Sequence, residues 1–174
     1  MKANYKLYQI IPLSQIDETD VETLLDHSFG TDRKARTAYK LRSGTRAIEL
    51  LSFAAVAQDG QLVGTLQSWP VRIENADGAA DAMTLVGPVA VRPDLQRGGV
   101  GKLLMAQLMS AADEHGHQAL MMIGDPEYYG RFFGFTADAT AGWALPGPVD
   151  RHRLLARITR SGGVAVHGRI VPNP

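Results

Sequence analysis

Apolar positions recur along this chain at two periods, and the switches between them divide it into elements. Residues 5–11 (YKLYQII) read as a strand that Pro12 closes. Thr19-Asp20-Val21-Glu22 has the Thr-x-x-Glu form of a capping box, after which Val21, Leu24, Leu25 and Phe29 share one helical face until Gly30 supplies the stop. Asp32 is placed to cap a second helix running to about Arg42, with Gly44 behind it. Two strands follow, 51–57 and 62–73, joined by Gln58-Asp59-Gly60-Gln61, whose Asp-Gly pair favours a tight hairpin turn. Pro70 cannot donate to a ladder, so Trp69-Pro70 marks an edge, a bulge or a bend. Residues 75–81 read as the next hairpin loop and 83–91 as the third strand of a meander, interrupted at Gly87-Pro88 by a bulge or kink.

Val100, Leu103, Leu104, Leu108, Ala111 and Ala112 then recur at helical spacing, and His115-Gly116 ends that helix. A strand over 119–123 comes next. Strand, helix and strand in this order form a crossover unit, which makes the flanking strands parallel. Asp125 suits an N-cap and Pro126 the first helical position, so Tyr128 and Tyr129 fall in the first turn of another helix. The stretch 137–150 is rich in Gly, Pro and Ala and reads as loop; 153–158 and 164–171 supply strands around Ser161-Gly162-Gly163. Met105, Met109, Met121 and Met122 read as packing residues.

The length of 174 residues and the 45% hydrophobic content suit one core, so 1–174 is expected to be a single domain, its core at about 5–148 and strands in 151–171 completing the sheet. Eighteen basic residues balance eighteen acidic ones, which leaves no global field to draw the chain to nucleic acid or an anionic membrane. The absence of cysteine excludes disulfides, thiolate metal sites and a cysteine nucleophile. The N-terminus carries no apolar stretch of signal length, and a cytoplasmic protein is the default expectation. One local charge excess stands out: Arg33, Lys34, Arg36, Lys40, Arg42 and Arg46 are opposed only by Asp32 between 31 and 46. It reads as a solvated helix face or, more sharply, as a wall that attracts an acidic acceptor. The five histidines have no metal-ligand spacing and no metal is expected; no Gly-x-Ser-x-Gly elbow of a serine hydrolase occurs.

The chemistry concentrates in residues 84–102, TLVGPVAVRPDLQRGGVGK, where a strand feeds a glycine loop that opens a helix. Missing side chains at Gly98, Gly99 and Gly101 let an anion approach backbone N–H donors at a helix N-terminus, most plausibly a phosphate. Gln96 and Leu103 stand where a Walker A loop needs Gly and Ser or Thr, and Leu104 where a dinucleotide fingerprint needs its third Gly.

Gln96-Arg97-Gly98-Gly99-Val100-Gly101, the preceding Val89-Ala90-Val91-Arg92-Pro93 and the later YYGRFFGF of 128–135 together resemble the GCN5-related N-acetyltransferase (GNAT) family. Arg36-Thr37-Ala38-Tyr39, Trp69-Pro70 and Gly124-Asp125-Pro126 further resemble its YhbS-like bacterial branch. The resemblance implies an α/β (α+β) fold, with a mixed, mostly antiparallel sheet flanked by helices and a splayed pair of parallel strands at a coenzyme A site. It also implies acetyl-CoA as co-substrate, held by Val89, Ala90, Val91, Gln96, Arg97, Gly98, Gly99, Val100, Gly101 and Lys102, with the pantetheine arm against the splayed strand. The implied reaction moves acetyl to a small-molecule or peptide amine. The Val89 amide is the implied oxyanion donor and a tyrosine the acid for the departing thiolate. In the family that tyrosine stands four residues before the Gly of Gly-Phe, a place held here by Gly130. The doubled Phe132-Phe133 reads as an insertion, which assigns the acid to Tyr129 with Tyr128 in reserve. A base is open among water, Glu49 and Asp125; homodimerisation is open, and a non-catalytic CoA-binding or sensor domain is the alternative function.

Overall fold

A computed structural model describes residues 7–174. Its eight-stranded mixed sheet is antiparallel except at two pairings. β1 (Tyr8–Pro12), β2 (Phe53–Ala57), β3 (Leu62–Glu74), β4 (Ala80–Val91), β5 (Ala119–Ile123) and β7 (Leu154–Ile158) lie side by side in that order. β6 (Gly142–Ala144) pairs in parallel with β8 (His167–Pro172), which in turn adds antiparallel to the end of β3. The part of the expected first strand before Leu7 lies outside the described residues.

β3 is long enough to serve two neighbours on one side. β2 pairs with residues 62–66 and β8 with 71–74. Pro70 falls in the gap between them, where the absent N–H leaves no ladder bond unmade, and its carbonyl accepts from the Asn173 amide at 3.1 Å. The irregularity expected near Pro70 lies at Gln67: Leu66 pairs with Val89 and Ser68 with Val86, so Gln67 alone faces Gly87-Pro88. This is the β4 bulge, its Gly87-Pro88 bond cis and Gly87 at φ +127°.

The alternation of β5 shows how the sheet is covered. Leu120 and Met122 pack under α3 (Val100–Glu114), while Ala119 and Met121 join Trp143, Leu154 and Ile170 on the opposite face. α4 (Pro126–Phe133) packs on the α3 side through Tyr129 and Phe133; α1 (Glu18–Phe29) covers Ala90 through Val21, Leu24 and Leu25. The methionines at 105, 121 and 122 are buried in these clusters and Met109 packs against one of them.

Three local expectations are corrected. α1 is capped by Asp17, whose carboxylate accepts from the Thr19 amide at 2.8 Å, so the helix begins before the Thr19 capping box. The helix expected over 32–42 is a 3₁₀ turn (Arg33–Ala35), an extended Arg36 and a four-residue helix, α2 (Thr37–Lys40). Asp32 makes no cap bond there. Arg33 is 1% exposed, with its guanidinium bonded to Asp26, Glu22 and Tyr39, and these tertiary bonds outweigh the local preference for a continuous helix. The solvated face is therefore only partial, since Arg42 is also buried. The third correction is β6, a strand inside the stretch read as loop; the Trp143 indole donates to the Ala165 carbonyl at 3.1 Å and its ring is fully buried.

Candidate active site

β4 and β5 are paired only at Thr84–Leu120 and Leu85–Met121. Beyond Leu85 the β4 bulge turns the strand away, and a cleft of about 1660 Å³ opens where the pairing stops. The Arg92 amide donates to Val63 on the β3 side at 2.9 Å. Because successive residues of an antiparallel strand point their N–H and C=O groups to alternate sides, those of Val91 and Val89 face the opposite, open side. Both residues line the cleft.

The loop after β4 is fixed at its entry by Arg92, which bonds Asp94 through Nε (2.8 Å) and Nη2 (2.7 Å). Gly99 stands at the N-cap of α3 with φ +83°, a conformation that side-chain-bearing residues avoid. A Cβ at Gly101 would sit 3.5 Å from the Tyr128 hydroxyl and 3.7 Å from a Val91 methyl, so any longer side chain there would fill the cleft. Gln96, Arg97, Gly98, Gly99, Gly101 and Lys102 line it. The side chains of Ala90 and Val100 do not; they are buried against α1 and in the main core, and Ala90 turns its peptide groups to Thr65 of β3, so of the two only the Val100 backbone at the start of α3 is left for a ligand.

The two tyrosines diverge as neighbours on a helix must. Tyr128 sends its hydroxyl to the first turn of α3 at Gly101. Tyr129 lays its ring against Gly124 at the end of β5, so closely that a Cβ on Gly124 would come within 2.7 Å of it. Burial first, then the nearby Tyr128 and Asp125, pushes the Tyr129 hydroxyl up to about 12, against an opposing pull from Arg153. Burial also raises Tyr128. Asp125 caps α4, accepting from the Glu127 amide at 3.0 Å, and lies on the rim of the cleft. Glu49 does not reach the cleft; it lines a second pocket of about 580 Å³ beyond Tyr39 and Arg42.

Facing the loop is a wall from the α1 end and α2: Phe29, Arg33, Arg36, Tyr39 and Arg42, continued by Asp150 and Arg153 before β7. Lys40 lies outside it. Burial opposes the Arg33 charge, but its bonds to Tyr39, Glu22 and Asp26 raise its pKa on balance. Arg153 lines the cleft without any local signal in the sequence, whereas Gln67 and Trp69, the latter a family mark, lie outside it and line the second pocket.

This arrangement can be compared with known proteins. The family described as Acetyltransferase (GNAT) domain matches residues 9–137. The chain belongs to this family. The curated "Uncharacterized N-acetyltransferase YhbS" of Escherichia coli K12 is 28% identical over 117 residues, 67% of each chain. The crystal structure of the GNAT protein YhbS from Escherichia coli, a complex with CoA, superposes with TM-score 0.75 at 24% identity over 96% of this chain and 90% of its own. A GNAT acetyltransferase from Brucella melitensis in complex with acetyl-CoA gives TM-score 0.69 at 22% identity, covering 95% and 96%. The GNAT fold expected from the sequence is thus the fold observed, including the parallel β4–β5 pair. Among the described residues no group of three or more His, Asp or Glu side chains is placed to hold a metal, and no helix is long and apolar enough to cross a membrane.

Proposed function

We propose that the chain is one acetyltransferase unit that moves acetyl from acetyl-CoA to a primary amine by direct attack in a ternary complex. The observation that carries this reading is the gap between β4 and β5, which opens directly beside the glycine loop and presents the Val89 and Val91 peptide groups on its free edge. A pyrophosphate fits the N–H groups of the loop and the N-terminus of α3, with Arg97 and Lys102 beside it, and a pantetheine arm fits the free edge as an added strand.

In the reaction the neutral amine attacks the thioester carbonyl, and the Val89 N–H receives the developing oxyanion. The C–S bond then breaks, and the thiolate takes the Tyr129 proton. Tyr129 stands at the end of β5, the lip of the gap, whereas the Tyr128 hydroxyl sits over the pyrophosphate end at Gly101. With its pKa pushed up to about 12, Tyr129 keeps its proton at neutral pH and is a weaker acid than a thiol of pKa about 8.5, so the transfer completes only as the proton released by the amine resupplies the phenolate. The amine proton leaves through water or Asp125; Glu49 acts only through water, since it lies in the second pocket.

Thiol release from acetyl-CoA across a panel of primary amines tests the proposal. Amine-dependent release is expected. Tight CoA binding with no release for any amine would instead identify a binding or sensor domain of the same fold.

A further inference from the structure

Arg42 is the unusual charge of the acceptor wall. It is 8% exposed, and among the described residues no carboxylate lies within ion-pair distance of it. Its guanidinium lies between two rings, 3.5 Å from the Tyr39 centroid and 4.6 Å from that of Trp69. Nη1 donates to the Gln67 side chain at 3.2 Å, but Nη2 makes no hydrogen bond, and neither does the Trp69 indole N–H. Two buried donors are therefore left without an acceptor, which is costly unless something arrives to take them; Nη2 belongs to a residue that lines the main cleft, the indole to one that lines only the second pocket. Arg33, by contrast, has its charge met by Glu22 and Asp26.

Position adds to this. Gln67, which anchors Arg42, is the β3 residue that faces the Gly87-Pro88 bulge of β4. Arg42 thus stands next to the point where the strands part, and it lines the main cleft. The cleft around Arg42 is basic, with Arg33, Arg36, Arg42 and Arg153 against Asp125 and Asp150, while the second pocket, which Arg42 also lines, carries Glu18, Glu22 and Glu49.

From these observations, and resting on the transferase reading above, we infer that the acceptor is an amine bearing a carboxylate, which Arg42 receives from the cleft side while the amine points at the thioester. The carboxylate enters from the basic cleft. Tyr39, whose ring covers the guanidinium and which lines the same cleft from the one-turn helix α2, shifts to admit it at the cost of the bond its hydroxyl accepts from Arg33. A guanidinium packed against two rings keeps its orientation and loses little freedom on binding.

The test uses matched pairs, β-alanine and γ-aminobutyrate against propylamine and butylamine, with O-phosphoethanolamine as a phosphate arm. Acetyl transfer and, separately, calorimetric binding to the CoA-saturated protein are measured for wild type, Arg42→Met and Arg42→Lys, with melting temperature and CoA affinity as controls. The expected result is that carboxylated amines are preferred and that Arg42→Met raises their KM or Kd roughly tenfold to a hundredfold. The alkylamines should change far less than the carboxylated amines and CoA affinity should hold, with Arg42→Lys between wild type and Arg42→Met. Equal losses for charged and neutral amines, or no carboxylate-dependent binding in wild type, would overturn the inference and leave Arg42 a packing wedge. Preference for the phosphorylated amine alone would also overturn it. If carboxylated amines bind through Arg42 but no acetyl is transferred, the subsite stands and the transferase reading falls; transfer without carboxylate preference gives the reverse.

Discussion

The two walls of the cleft are built on different principles. The wall of β4, the glycine loop and α3 works through backbone: outward peptide groups at Val89 and Val91, and a helix entry whose missing side chains leave space. Regular ladders and a buried helix face hold it. The opposing wall works through side chains on a 3₁₀ turn and a four-residue helix, which do not stand alone and are tied down by the Arg33 bonds to α1. The first wall suits a ligand part that never changes; the second can be rewritten by a few substitutions without touching the first.

The backbone wall fails when its open space is filled. Gly101→Glu should weaken CoA binding by about a hundredfold or more, because the side chain points into the cleft and brings a negative charge to a phosphate site. The melting temperature should hardly move. Calorimetry with CoA reads the first effect, and unchanged affinity would remove the loop from the site.

Tyr129→Phe keeps the ring against Gly124 and removes the proton, so kcat should fall roughly a hundredfold with CoA affinity nearly constant. Tyr128→Phe should do much less to kcat. Steady-state kinetics of both variants decides the assignment, and a loss carried by Tyr128 would reverse it.

On the side-chain wall, Arg33→Met should cost about 1–3 kcal/mol, less than for two fully buried partners, because Glu22 and Asp26 are left partly exposed and can be solvated. Denaturant unfolding measures that cost. CoA affinity should survive while the acceptor KM rises, which separates the two walls in one protein.

The smallest effect concerns alkaline pH. The Tyr129 hydroxyl is raised from 10.0 to about 12, so the folded state resists its ionisation. Its contribution to stability is complete below pH 10 and is lost as pH rises through about 12. Tyr129→Phe should therefore lose less stability than wild type across that window, as chemical denaturation at stepped pH would show.

Legible in the chain were the places where local structure and candidate chemistry share the same few residues. Gln96, Gly99 and Gly101 announce the loop because a backbone that must approach an anion needs absent side chains, and the 3.6-residue repeat of α3 follows at once. Asp125-Pro126 likewise fixes the start of α4, and with it the first-turn position of both tyrosines. The meander and the crossover strand were legible from turn residues and alternation. The side-chain wall came from tertiary packing: its helix breaks because Arg33 finds partners on α1, and β6 exists because β8 offers an edge. Arg42 meets Gln67 and Trp69 across more than twenty residues of chain, a pairing that no local pattern encodes. Contacts of that kind are set by which surfaces the packed sheet brings together, and their energy outweighs the weak local preferences from which a sequence is read.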